Sequence, residues 1–568
     1  MTTPSLPPRE TLTVEFKSDR KRLSDGDLVE AIVCMANAEG GELWLGVEDD
    51  GRPTGLHPDR LQVTGLAGLV AARTSPSLNV AVEQLSPPVE AEPGTWMEVH
   101  VARITVPKAQ GEVCTTGGVY QRRRLKADGT PECVAMLPHD RASRVSSFGL
   151  MDASAQIVAG ATLADLDPLE RERLRQCVQQ YGGDRVLLEL DDEALDGALG
   201  LTARLPDGSG RAPTLTGLLL IGRELALREL VPTHEFAFQV LAREAVQFNE
   251  FRRFPLLKAL DWLETNFRPY NPERELQIGL FRVPVPRVEM GAFREALANA
   301  LVHRDYHRLG AVHVRLDDEG LTISNPGGLV DGVTLANLLT TEPRPRNRTL
   351  ADAMKRVGMV ERSGRGVDKI YRGMLRFGRP EPDYRRTGAT DVVLRLATVD
   401  ADEAFLKLVV DQEGKQGREL PIDSLIALAT LREMKRLSTE ELAAHIQREP
   451  AQAKKTLESL VEAGLAQAHG NARGRTYTLA MGVYQADGRQ ADYIRQLGFS
   501  GLQQEQLVLS YVEKHGSIRR NQAADLCRIT SLQAKDLLRR LREAGRLEQH
   551  GEKRAAYYVL AGQPAKAQ

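Results

Sequence analysis

The sequence predicts an α+β multidomain protein. Three observations carry that expectation. Stretches whose apolar residues alternate, as in the run TLTVEFK (11–17), stand beside stretches of helical period, as over Ser24–Ala38. The chain has 568 residues, enough for roughly three or four domains. Beyond residue 399 the pattern turns mostly helical and repeats itself.

Bulk properties narrow the class. Hydrophobic residues make up 42% and charged residues 27%, which suits globular protein with several cores. A net charge of −2 excludes a uniformly basic nucleic-acid coat, so any such contact must come from local basic patches. The five cysteines, Cys34, Cys114, Cys133, Cys177 and Cys527, form no CxxC pair. Neither a zinc site nor a disulfide framework is expected, and a reducing interior fits. MTTPSLPPRE is not a signal peptide, and no apolar run approaches the ~18 residues of a membrane span. The expected location is cytoplasmic.

The first block, 9–145, opens with the TLTVEFK strand. Ser24 and Asp27 cap the following helix, Gly40-Gly41 breaks it, and GELWLGVEDDG is a second strand ending in a turn. Further strands are expected around Trp96–Val106 and Val119–Arg122. The second block, 150–270, starts with a charged helix over Asp165–Tyr181. LTGLLLIGR follows, with Leu218–Ile221 read as part of a short buried strand.

The third block, 271–398, holds the candidate chemistry. An amphipathic helix carries Glu295 and Asn299, four residues apart and therefore on one face. A carboxylate and an amide there can position water and a divalent metal beside phosphates. Alternating strands follow around Val312–Leu316 and Leu321–Ile323, joined by a turn at Asp317–Gly320. Two glycine-rich turns come next, Asn325-Pro326-Gly327-Gly328 and the later SGRG of GMVERSGRGVDKI. The second leads into a helix, as backbone cradling of phosphate requires. Arg344, Arg346 and Arg348 lie between them and can meet phosphate or simply be solvated.

The last two blocks, 399–482 and 500–563, are copies of one unit. Gly464 matches Gly545, His469 matches His550, Gly470 matches Gly551 and Tyr477 matches Tyr558. Ser438 and Glu441 form a capping box in the first copy. Three helices followed by a two-stranded hairpin make the winged helix-turn-helix pattern, whose second motif helix enters the major groove. The candidate reading helices, 450–463 and 531–544, carry Lys454, Lys455, Lys535, Arg539 and Arg540. The hairpin tips carry Arg473, Arg475 and Arg554, placed to meet phosphates.

Taken in order, the ExxxN helix and the two glycine boxes resemble the divergent GHKL-type ATPase domain, an α/β sandwich, found attached to AlbA_2 proteins. The resemblance implies ATP with Mg²⁺. Asn299 then helps hold the metal, Glu295 orients water, and Gly364, Arg365 and Gly366 belong to the lid over the phosphates. That family's first glycine box carries an adenine-reading aspartate; here Asn325 stands near that place, followed by Gly327. At the other end, ETLTVEFK followed by ANAEGGELWLGVEDDG resembles the Schlafen AlbA_2 domain. For a Schlafen nuclease this implies a metal site at Glu10, Glu15 and Asp49 holding Mg²⁺ or Mn²⁺, with Lys17 on the same strand face to steady a phosphate. Tyr120 and Arg122 match the family's Tyr-x-Arg, and Arg123 and Arg124 replace the glycine that follows it.

The preferred expectation is a nucleotide-gated, DNA-binding transcriptional regulator that can form homodimers on symmetric sites, with RNA as the other candidate partner. The enzyme alternative is a metal-dependent nuclease regulated by ATP, and weak ATPase activity is compatible with either. A third reading is an assembly scaffold with both sites silent.

Overall fold

The computed structural model describes residues 6–92, 95–126, 128–243, 245–278, 281–360, 366–470, 475–480, 483, 501–527, 531–551 and 556–561. The expected α+β architecture is present throughout. In the first block Val14–Lys17 pairs in parallel with Gly41–Leu45, and Val101–Val106 and Ala81–Leu85 extend the sheet antiparallel. The helix Asp25–Ala36 covers it with Leu28, Ile32 and Met35, all fully buried. Ser24 caps that helix by accepting from the Asp27 amide at 3.0 Å. Gly41 is required where the two parallel strands begin: its φ is +126°, and a Cβ there would collide with the Thr13 backbone.

Residues on both sides of 270 share one sheet and one core. The sheet runs Ala245–Arg252, Phe236–Ala242, Val312–Asp317, Gly320–Pro326, Asp391–Leu396. Only Phe236–Ala242 and Val312–Asp317 are parallel. One apolar core extends from Leu166 to Leu396. The expected helix at the start of the second block forms over Pro168–Gln180. Leu218–Ile221 corrects the strand reading: it lies in the helix Leu215–Ile221, capped by Thr214. All four residues are fully buried, so the helix has no polar face from which a period could be read.

The expectation of unbridged cysteines is corrected once, since Cys34 and Cys133 form a disulfide. It ties the first helix to the hairpin Gln121–Leu125/Pro131–Ala135. The helix Pro138–Ser147 docks the first block on the third. Its Ser143 hydroxyl donates to Asp305, and Arg308 bridges Asp305 at 3.2 Å and Asp140 at 3.5 Å. Burial pushes the Asp305 carboxyl up, but hydrogen bonds from His307 and Ser143 and the Arg346 charge outweigh it and hold it well below the carboxylate range.

Each C-terminal copy has the same order of elements. The first has helices Ile422–Met434, Thr439–His445 and Pro450–Glu462 with the hairpin Ala466–His469/Thr476–Leu479. The second has helices Gly501–His515, Arg520–Cys527 and Ser531–Glu543 with the hairpin Leu547–His550/Tyr557–Leu560. The Ser438–Glu441 capping box closes in both directions. Gly464 and Gly545 adopt φ of +70° and +67°, the left-handed exit from each copy's last helix that glycine makes cheap.

Candidate functional site

The helix Met290–Val302 begins at Glu289, whose carboxylate accepts from the Gly291 and Ala292 amides at 2.9 and 2.6 Å. Phe293, Leu297 and Leu301 face the core. Glu295, Asn299 and then His303 recur at fourfold spacing and line a cavity of about 210 Å³. Ile323, Val392 and Leu394 from the sheet form one wall, and Val367 and Ile370 from the helix Gly366–Leu375 form another. Glu295 is 3% exposed and rests against Gly366; a Cβ at 366 would collide with its carboxylate. Burial, then the charges of Arg346 and Lys355, drop His303 to about 4, so this imidazole is neutral near pH 7. Asn325, 5% exposed, lines the same cavity and donates from Nδ2 to the Pro326 carbonyl at 3.3 Å.

The structure thus brings Glu295, Asn299, Asn325 and Gly366 together. Gly364 and Arg365 lie outside the described residues. Gly327 is occupied with the fold: its amide donates to Thr390 at 2.7 Å, and a Cβ would clash with Asp305. Arg346 is also used internally, donating to Gly328 at 2.9 Å, while Arg344 lines the cavity. The segment 329–346 forms a strap along the cavity that sequence reasoning missed. Leu338 and Leu339 line the cavity, and the Leu339 amide donates to Gln447 Oε1 at 2.8 Å. Gln447 Nε2 donates back to the Leu335 carbonyl at 2.8 Å. Gln447 lies just before the helix Pro450–Glu462.

The first block arranges its charges differently. Glu10 accepts from the Phe16 amide at 2.9 Å. Its carboxyl is raised by burial, against that hydrogen bond, with Glu15 adding to the rise. Glu15, 5% exposed, contacts both Lys17 and Arg123. Arg123 also donates to the carbonyls of Thr11 at 3.0 Å and Val14 at 2.9 Å. Asp49 is exposed on its turn. Among the described residues no three His, Cys, Asp or Glu side chains group as a metal site, so Asp49 does not join Glu10 and Glu15. Arg123, expected to meet nucleic acid, is 4% exposed and ion-pairs with Glu15. Strand alternation was the available signal, because it turns Arg123 to the face opposite Arg122 and Arg124. Arg122 pairs with Asp140 at 3.0 Å.

Of the C-terminal cations, Lys455, Lys535 and Arg540 are exposed. Lys454 and Arg475 share Glu458 at 3.8 and 3.6 Å, and Arg539 pairs with Asp536 at 3.1 Å. Arg473 and Arg554 lie outside the described residues.

The Schlafen AlbA_2 family matches residues 10–128, and HATPase_c_4, the recG C-terminal family, matches 310–395. The chain carries the expected pairing of AlbA_2 with a divergent ATPase-type domain, one of nucleic-acid-related and nucleotide-binding kinds. A domain family of unknown function matches 140–237, and the AlkZ-like DNA glycosylase family matches 389–568. The DIP2311 protein from Corynebacterium diphtheriae has a similar fold, with a TM-score of 0.50 and 23% identity over 84% of this chain and 93% of its own. No curated protein matches. Among the described residues no helix is long and apolar enough to cross a membrane.

Proposed function

We propose that the chain is an ATP-binding regulator that contacts DNA through two winged helices, with the nucleotide setting how the first of them is presented. The carrying observation is the strap: residues 338 and 339 line the cavity while Leu335 and Leu339 hydrogen-bond Gln447 at the foot of the helix Pro450–Glu462. A ligand that moves the strap acts on that helix directly. At about 210 Å³ the cavity is smaller than the ~300–1,000 Å³ of whole-ligand pockets. It suits the nucleoside part, with apolar walls for a base and Asn325 beside them. The phosphates would leave toward the N-terminal end of the helix Gly366–Leu375, a favourable place for anions. Asn299 would hold Mg²⁺, and Glu295 would orient water. Bound Mg²⁺ supplies charge neutralisation for the phosphates.

Lys454, Lys455, Arg475, Lys535, Arg539 and Arg540 are the proposed DNA contacts, and the likeness of 389–568 to AlkZ-like DNA glycosylases supports DNA as the partner. The AlbA_2 block reads best as a binding module, because Glu15 is neutralised by Arg123. Should Glu15→Ala abolish a measurable cleavage while binding persists, the nuclease reading takes its place. The main test measures DNA affinity of the full chain with and without ATP–Mg²⁺. Wild type should respond to nucleotide. Asn299→Ala should lose both nucleotide binding and the response. Gln447→Ala should keep nucleotide binding and lose the response. Equal wild-type affinity in the two conditions ends the proposal.

A further inference from the structure

A second opening, a cleft of about 730 Å³, lies between the nucleotide block and the first C-terminal copy. Tyr371 and Leu375 form its floor, residues 378–385 one side, and the end of the helix Ile422–Met434 with His445 the other. Leu338 and Tyr384 line both this cleft and the nucleotide cavity. Its volume falls within the ~300–1,000 Å³ of small-molecule sites, which favour junctions between structural units. The nucleotide reading uses the strap residues Leu335 and Leu338 on its rim but none of its charged groups.

The ligand class follows from which charges the fold has already used. Arg379 donates to the carbonyls of Val399 at 3.0 Å and Pro286 at 2.7 Å, and its remaining Nη1 is sealed from solvent. Arg385 grips Asp383 through two hydrogen bonds of 3.0 and 2.8 Å. Arg432 pairs with Asp402, and Lys435 is engaged as well. Glu381 is different. It is half-buried on the cleft wall, and no ion pair or hydrogen bond reaches its carboxylate among the described residues. Burial lifts its carboxyl, His445 opposes the rise and Glu433 adds to it. Beside it Tyr371, 7% exposed, has no hydrogen-bond partner for its hydroxyl among the described residues. Burial first, then Glu381 and Asp383, push that hydroxyl up to about 12. The uncommitted field is therefore negative, set between Tyr371 and apolar Leu335, Leu375 and Leu479. A carboxylate so placed gains most from a cation that brings its own hydrogen-bond donors.

We infer that this cleft is an effector site for a small organic amine, with the ammonium on Glu381 and an apolar body against Tyr371, Leu375 and Leu479. The probe is 2-phenylethylamine, titrated calorimetrically into the full chain beside 3-phenylpropanoate, which has the same ring on a carboxylate. The amine should bind and the acid should not. Glu381→Gln should weaken the amine about tenfold or more, the usual effect of losing a charge-assisted hydrogen bond. Asn299→Ala should leave amine binding unchanged, which separates this site from the nucleotide cavity. Equal binding of amine and acid to the wild type overturns the inference without any variant. So does undiminished amine binding by a folded Glu381→Gln protein, or no binding at millimolar amine.

Discussion

Glu15 and Glu295 are both nearly inaccessible carboxylates, 5% and 3% exposed, and each stands at the centre of a candidate site. Their neighbours differ. Glu15 meets Lys17 and Arg123, side chains of its own block. Glu295 meets Gly366, where any side chain would displace it, and forms part of a cavity wall. The first carboxylate is enclosed by cations of its own block; the second stands on a cavity wall, against a residue that has no side chain. A buried acid does not by itself mark a site, and what occupies the volume next to it decides.

The largest expected effect breaks the closed pair. Arg123→Ala leaves Glu15 buried without its guanidinium and should cost about 3–5 kcal/mol in chemical denaturation of the full chain. Replacing both partners, Glu15→Leu with Arg123→Met, should restore most of that loss, because two matched apolar groups need no counter-charge. Glu295→Gln keeps the shape beside Gly366 and should cost far less than Arg123→Ala. Comparable losses from those two single substitutions would erase the contrast.

Acid should divide the two regions next. Burial holds His234 and His303 at about 4, and both belong to the block that shares the large sheet and core. Their folded values lie below the ~6.5 of an unfolded imidazole, so the unfolded chain takes up protons first. Their contribution to stability is complete above about pH 6.5 and falls toward pH 4, by at most about 1.4 kcal/mol per pH unit for each imidazole. Glu10 in the first block has the opposite sign: its carboxyl is raised, so acid favours the folded form there. Protection factors, with the intrinsic pH dependence of amide exchange divided out, should therefore fall at about pH 5 relative to pH 7 in the core around residues 234 and 303 and not around residue 10. A uniform fall would remove the distinction.

Local chemistry was legible in the sequence. The Ser438–Glu441 box, the Ser24 cap, the charged helix expected over Asp165–Tyr181 and the shared face of Glu295 and Asn299 all follow from spacings of a few residues. Relations across long stretches of chain were not legible. Arg123 finds Glu15 across 108 residues, Cys34 finds Cys133 across 99, and Leu339 finds Gln447 across 108. No local period encodes such pairings. Leu218–Ile221 reads as a strand for a different reason: complete burial removes the polar face that separates a helix from a strand. The strap beside the cavity carries no signal in the sequence beyond Arg344 and Arg346.

The smallest expected effect compares basic residues rather than acids. In the AlbA_2 block Arg122 and Arg123 are committed to Asp140 and Glu15. In the C-terminal copies Lys455 and Arg540 are exposed and form no ion pair among the described residues. A cation already paired releases little when phosphate arrives, whereas a solvated one exchanges water and displaces a counterion from the duplex. Lys455→Ala and Arg540→Ala should each reduce the salt dependence of duplex binding by about one unit of log–log slope, with only a few-fold loss of affinity at fixed salt. Fluorescence anisotropy across a salt series reads this directly. Arg122→Ala should leave the slope unchanged. If instead the slope falls for Arg122→Ala and holds for Lys455→Ala, phosphate is met by the AlbA_2 hairpin, and the C-terminal copies serve protein contacts.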